Sequence, residues 1–243
     1  MSNLVSTHWY YAEPVRRYLD DAKKEGYFAR ILKAAHHHFH PNNPPKPPEI
    51  NSWHHSPRAL AKVIAESNIS RNQIVILEAR LDTWRRIDAI ICGQSRNECN
   101  NAILVELKQW SKEDWFDIAD SMDKESVATV AHGKSQDAKC PPRQLESRME
   151  EIHARCVQMF GEDALRLEAC IYFHNCPWLT DDWLRKLDRE KFNGARKRVP
   201  IYTRDGEKFL RRKIGAVVGY GSGEQGQSIL EKVIPLDQPT PTS

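Results

Sequence analysis

The N-terminal part of the chain carries apolar residues at helical spacing. Val15, Tyr18, Leu19, Ala22, Tyr27, Ile31 and Leu32 predict helix over residues 13–33, either as one helix or as two that meet at Gly26. Residues 36–48 combine four histidines with five prolines and read as a loop. Ser56-Pro57 supplies an N-cap and a first-turn proline for a helix ending near residue 67. The pattern then changes to short apolar runs of strand length at 74–79, 86–91 and 102–108, with a turn at 82–85. Three consecutive strands with short connections predict an antiparallel meander. A short extra strand is expected at 127–130, a helix at 143–160, a buried strand at 169–173 and a helix at 207–214. This order implies an α/β layer fold. From residue 219 the pattern lapses: Gly219, Gly221, Gly223 and Gly226 precede Pro235, Pro239 and Pro241, so a domain over 1–218 with a Gly/Pro-rich linker or tail at 219–243 is expected.

Composition adds bounds rather than a function. A chain of 243 residues with 40% hydrophobic content suits one sizeable domain with its own core. The first ten residues lack a basic and apolar leader, and no apolar run approaches the roughly 20 residues of a membrane span, so a cytoplasmic location is the expectation. Six scattered cysteines without a CxxC pair suggest reduced packing residues. A net charge of +3 permits a polyanionic partner without requiring one.

Candidate chemistry concentrates on two strands. Asp88 lies in the run Arg86-Ile87-Asp88-Ala89-Ile90-Ile91, and the next run closes as Val105-Glu106-Leu107-Lys108. Side chains alternate along a strand, so Glu106 and Lys108 project together while Val105 and Leu107 enter an apolar layer. Two carboxylates are hard ligands suited to Mg²⁺ or Mn²⁺, and a neighbouring ammonium can orient water or neutralise charge on a phosphate. The same residues also suit ordinary strand-end ion pairs, Asp88 with Arg85 or Arg86 and Glu106 with Lys108.

With these residues in place, Glu78-Ala79-Arg80-Leu81, Arg85-Arg86-Ile87-Asp88-Ala89-Ile90-Ile91-Cys92-Gly93 and Val105-Glu106-Leu107-Lys108-Gln109-Trp110 resemble the PD-(D/E)XK nuclease domain of bacterial nuclease-helicase proteins, a group related to the Schlafen helicases. Ser52-Trp53 with Ser56 is similar to that group's Ser-Trp-x-x-Ser segment, Pro142-Arg143-Gln144 to its His-Pro-Ser-x-Gln segment, and Tyr172-Phe173-His174-Asn175 to its Tyr-Leu-His-Asn strand. The resemblance implies a restriction-endonuclease-like core, a central mixed sheet flanked by helices. It implies Asp88 and Glu106 as metal ligands, Lys108 as the catalytic lysine and Gln144 as a helix-borne site residue. Glu78 and Glu13 are candidates for an additional acidic residue, Glu78 with an arginine pair as its alternative and Glu13 with a helix-start role. The implied activity is hydrolysis of phosphodiester bonds with Mg²⁺ or Mn²⁺, in DNA ahead of RNA, in antiviral defence or DNA processing beside a helicase. Cys140-Pro141-Pro142 departs from the group's histidine-containing segment, and no Gly-x-x-x-x-Gly-Lys-Ser/Thr phosphate loop occurs, so the helicase portion is absent from this chain. The alternative is a catalytically degenerate module that binds nucleic acid or a partner.

Other features offer weaker chemistry. His36, His37, His38 and His40 with His54 and His55 could chelate a metal, although loop histidines are usually polar surface. Arg211, Arg212 and Lys213, in the most basic stretch, could track a phosphate backbone. Trp110, Trp115 and Phe116 could stack on bases or pack as a lid.

Overall fold

The computed structural model describes residues 8–109, 126–131, 134–139, 141–177 and 197–234. Six strands form one mixed sheet in the order β1-β2-β3-β4-β7-β8. They are β1 (Trp9–Pro14), β2 (Ile74–Arg80), β3 (Arg86–Gln94), β4 (Asn100–Lys108), β7 (Arg166–Phe173) and β8 (Ile201–Thr203). β2, β3 and β4 form the expected antiparallel meander, β1 adds antiparallel to β2 as an unexpected strand, and β4, β7 and β8 run parallel. A separate hairpin pairs β5 (Ser126–Ala131) with β6 (Lys134–Lys139), so the extra strand expected near 127–130 is present. The coarse α/β expectation holds: helices flank the mixed sheet. No helix among the described residues is long and apolar enough to cross a membrane.

The central strands are apolar on both faces because both faces are covered. One face meets α1 (Val15–Ala22), α2 (Tyr27–Phe39), α3 (Pro47–Ala65) and α5 (Glu207–Val218), with Tyr18, Leu32, Leu60, Ile64, Leu210 and Ile214 fully buried. The other meets α4 (Pro141–Phe160) and α6 (Glu224–Val233) through Leu145, Ile152, Leu230 and Val233. α4 lies in the connection between β4 and β7, the long crossover a parallel pair requires.

Three local expectations change in the helical part of the chain. The helical stretch expected from 13 begins only at Val15, since Trp9–Pro14 form β1; beyond that the two-helix expectation holds, with Gly26 at φ +63°, left-handed backbone that suits glycine, separating α1 from α2. The histidine-rich segment is helical through Phe39 because Phe28, Leu32, Ala35 and His36 all face the core. α3 starts at Pro47-Pro48 and runs through Pro57, so Ser56-Pro57 lies within a helix rather than at its start. The Tyr18 hydroxyl donates to the Pro57 carbonyl, anchoring this helix to α1.

The segment expected as a linker from 219 is part of the fold. Gln94 and Tyr220 exchange two backbone hydrogen bonds, of 2.9 and 3.0 Å, and α6 buries Ile229, Leu230 and Val233. The glycines serve close approach: a Cβ at Gly223 would stand 2.4 Å from both the Cys92 carbonyl oxygen and the Ile74 nitrogen. Residues 235–243 lie outside the described residues. Leu230→Ala should therefore cost about 2–5 kcal/mol in urea unfolding, the range for deleting a buried leucine side chain, whereas an unstructured linker would show no change.

Candidate active site

The alternation of side chains breaks at one level across three adjacent strands. On β2, Val75 and Leu77 join the core under α1–α3 while Ile74 and Ile76 join the core under α4, yet Ala79 joins the second group rather than the first. On β3, Ala89 and Ile91 join the first group but Ile87 the second; on β1 the adjacent Tyr10 and Tyr11 both join the first. The residue at the break in β2 is Glu78, with φ +53°, a left-handed conformation costly for a residue bearing a Cβ. Its counterpart in β3 is Asp88.

Register places these carboxylates in one row. Glu78 and Asp88 face each other between the pairs Leu77↔Ala89 and Ala79↔Ile87. One step beyond Ala89↔Val105, Asp88 lies across from Glu106. The Asp88 Oδ2 accepts the Leu107 N–H at 2.8 Å, taking a role that a ladder carbonyl would otherwise have. Val105 and Leu107 enter the apolar layer as expected. Glu106 turns toward α4, accepting from Lys108 Nζ at 2.8 Å and from Arg148 Nη1 at 3.1 Å.

Each partner decides a protonation state. Burial opposes the charge on Glu106, but Lys108 and Arg148 outweigh it and hold the carboxyl below its ordinary range. Burial likewise opposes the Lys108 ammonium, yet Glu106 and Asp88 raise its pKa, so Lys108 is a cation at neutral pH and not a base. Asp88 has the opposite balance: burial first and the Glu106 charge second push it up to about 8. Glu78 is also raised, chiefly by burial, although Arg86 opposes the shift.

Glu78 is fixed from two sides, by Trp53 Nε1 at 2.9 Å and Arg86 Nε at 3.0 Å. It both joins the row and makes the arginine pair weighed for it. The strand-end pair Glu106–Lys108 also forms, whereas Arg85 binds Asp82 and Glu151, and Arg86 binds Glu78 and Glu49. Ser56 Oγ lies 3.0 Å from His174 Nε2, His174 Nδ1 lies 3.1 Å from Asn175 Oδ1, and the Asn175 amide donates to the Gln109 carbonyl at 2.9 Å. Segments near 53, 78, 88, 106 and 174 thus converge at the same end of the sheet. A small cavity there is lined by Ser52, Trp53, Ser56, Glu78, Asp88 and Leu107.

Other predicted residues fall elsewhere. Glu13 lies in β1 opposite Val75, three residues from the Tyr10 level that faces Glu78, so it neither starts a helix nor joins the row. Gln144 occupies the first turn of α4, one turn before Arg148 on the same face. Arg148 was missed from sequence; its spacing from Gln144 was the available signal. Arg211 and Lys213 pair with Glu66 and Glu168, away from the carboxylate row. His36 is a core residue bound to Tyr10 and to the Asn43 carbonyl, while His37, His38, His54 and His55 are exposed. Trp110, Trp115, Phe116 and Cys140 lie outside the described residues.

Among the described residues no three His, Cys, Asp or Glu side chains are grouped to enclose a metal ion. A hard cation here would rest on the two carboxylates Asp88 and Glu106 and complete its shell with water or phosphate oxygens, the usual habit of Mg²⁺. The donor chemistry fits such an ion, since a nearby divalent charge would relieve the penalty that raises Asp88. No protein family, no curated protein and no solved structure matches the chain.

The raised Asp88 pKa has a stability consequence with a definite sign. The unfolded aspartate loses its proton near pH 4, the folded one near 8, so this group withdraws stability as pH rises between those values. Asp88→Asn keeps an oxygen for the Leu107 N–H and removes the penalty. In a chelator, its melting temperature should exceed that of the parent at pH 8 by about 2 °C or more, the shift of roughly 1 kcal/mol at this size, with no gain near pH 4.

Proposed function

We propose that the chain is a nuclease that hydrolyses phosphodiester bonds with Mg²⁺ or Mn²⁺, with DNA as the favoured substrate. The observation that carries this reading is the end of β4, where Asp88 and Glu106 stand across from each other with the Lys108 ammonium beside them. Asp88 and Glu106 would hold the metal, which when bound supplies a polarised water and charge neutralisation at the phosphate. Lys108, held protonated, contributes a fixed positive charge for the oxyanion that develops on phosphorus. Arg148 keeps Glu106 ionised and oriented from the α4 side. Gln144, one turn earlier on the same helix face, is positioned to hydrogen-bond substrate or water. The Trp53, Ser56 and His174 contacts hold α3 and the β7 terminus against the row, and burial keeps His174 neutral at pH 7 by lowering its pKa.

One observation favours a second reading. Both oxygens of Glu106 are occupied by cationic side chains, as they would be in a module that binds without cutting. Cleavage separates the two. Asp88→Ala, Glu106→Ala and Lys108→Ala should each lower Mn²⁺-dependent cleavage of single- or double-stranded DNA by at least about 100-fold at a temperature where circular dichroism shows the variant still folded. A parent protein that cleaves neither DNA nor RNA with either metal would leave the binding module as the reading.

Metal affinity offers a test that needs no turnover. The proton on Asp88 competes with the cation, so Mn²⁺ affinity followed by the spin-resonance signal of the free ion should rise by up to about tenfold per pH unit from 6 to 8 and level off above. Glu106→Gln should weaken binding across the whole range.

A further inference from the structure

A groove that the carboxylate row does not touch has a net positive lining. Between α1, α3 and the approach to β2 lies a cavity of about 620 Å³, lined by Arg16, Lys23, Arg58, Lys62 and Arg71 with Asp20 as its one carboxylate. Its local charge is thus +4, against +3 for the entire chain, and the remainder is slightly acidic. Leu19, Ala22, Ala61 and Ala65 form an apolar floor. A second cavity of the same volume, beside α4 and β7, sets Glu150, Glu162 and Glu168 against Arg166 and Lys213 and shows no such bias.

Four of the five groove cations lack the carboxylate partners that the cations nearest the row, and Arg211 and Lys213 on α5, have. Arg85, Arg86, Arg148, Arg211 and Lys213 all meet carboxylates. Lys23 is held by Asp20 at 2.8 Å, but among the described residues Arg16, Arg58, Lys62 and Arg71 make no ion pair. Arg58 and Lys62 stand four residues apart on α3, where like charges repel. Such an arrangement is stabilised by an anion with several charges at spaced positions.

We propose that this groove is the binding track for the sugar-phosphate backbone of a nucleic-acid strand, in place of the α5 arginines. The inference rests on the nucleic-acid part of the function proposed above, though not on cleavage. Alternating phosphates and sugars suit a basic rim over an apolar floor, and counterion release supplies the affinity. α3 connects the two regions: Trp53 touches Glu78, and Lys62 lies nine residues further along, roughly 14 Å by helical rise. A strand seated in the groove can therefore reach the carboxylate end within a few nucleotides.

The test is fluorescence anisotropy with a labelled single-stranded DNA of about 20 nucleotides, in a chelator so that nothing is cut, across a KCl series. Arg58→Gln/Lys62→Gln, both exposed positions, should weaken binding at least about tenfold at low salt and lower the slope of log affinity against log salt by about 1.4, two contacts at about 0.7 each. Arg16→Gln/Arg71→Gln on the opposite wall should act likewise, which guards against a folding artefact in α3. A parent that binds through the groove yet cleaves nothing with Mg²⁺ or Mn²⁺ would sink the nuclease reading alone, whereas a parent that cleaves while both groove variants bind as it does would sink this one alone. The proposal is overturned if both groove variants keep the parental slope, if Arg211→Gln/Arg212→Gln alone abolishes binding, or if inorganic tripolyphosphate displaces the DNA at equal phosphate concentration, which would mark a compact phosphate site.

Discussion

The architecture of the carboxylate end depends on one break in side-chain alternation shared by β1, β2 and β3. A strand normally sends every second residue to the same face, and a one-residue irregularity reverses that order. Here the reversal occurs at Tyr10, Glu78 and Asp88 together, so three strands stay in register while their polar residues leave the regular ladder. An isolated reversal would expose apolar residues on one strand and bury polar ones on its neighbour. A concerted one keeps both cores closed, with Ala79 and Ile87 packed under α4 and Leu77 and Ala89 under α3. The left-handed backbone at Glu78 is the local cost of that arrangement.

Such a row is stable only with its counter-charges in place. Glu106 is almost fully buried between Lys108 and Arg148, and removal of either cation would strand a charge in a low-dielectric setting. Glu78 is held by Arg86, which also reaches Tyr10 and Glu49 and so ties β3 to β1 and to the start of α3. Asp88 has only part of this support: a backbone N–H stabilises its charge, but burial and Glu106 prevail. The row therefore has one firmly ionised carboxylate beside one that gains its charge only with help from outside. That asymmetry would suit an acidic pair that holds a divalent cation, the reading proposed above.

The sheet was legible in the sequence because its strands are short apolar runs flanked by polar turns, a signal carried by each strand alone. Glu106 and Lys108 followed from period-two spacing. The break at Glu78 was not legible, since it depends on agreement among three strands distant in sequence, and a glutamate ending an apolar run gives no sign of positive φ. Arg148 was hidden because only the packing of α4 brings it to Glu106. The histidine-rich stretch misled through composition: Ala35 and His36 continue the buried face set by Phe28 and Leu32, and that periodicity outweighs the nearby prolines. In the C-terminal part, the glycines that suggested a flexible linker permit close contact with β3, and the apolar spacing of Ile229, Leu230 and Val233 was the better guide.

Charge and chemistry are separated in this molecule, and α3 is the element that relates them. One face of the helix brings Trp53 and Ser56 to Glu78 and His174, and the other brings Arg58 and Lys62 to a groove of uncompensated positive charge. The row has its own cations in Arg86, Lys108 and Arg148, so those of the groove add positive charge elsewhere on the molecule. The single carboxylate of the groove, Asp20, is paired with Lys23 and leaves four cations in excess. The two lie on opposite sides of one helix, and Pro57 falls between them, where the Tyr18 hydroxyl satisfies its carbonyl and keeps the helix in place. The relative position of groove and row is then set by the packing of α3 on the sheet through Leu60 and Ile64, contacts that neither site disturbs.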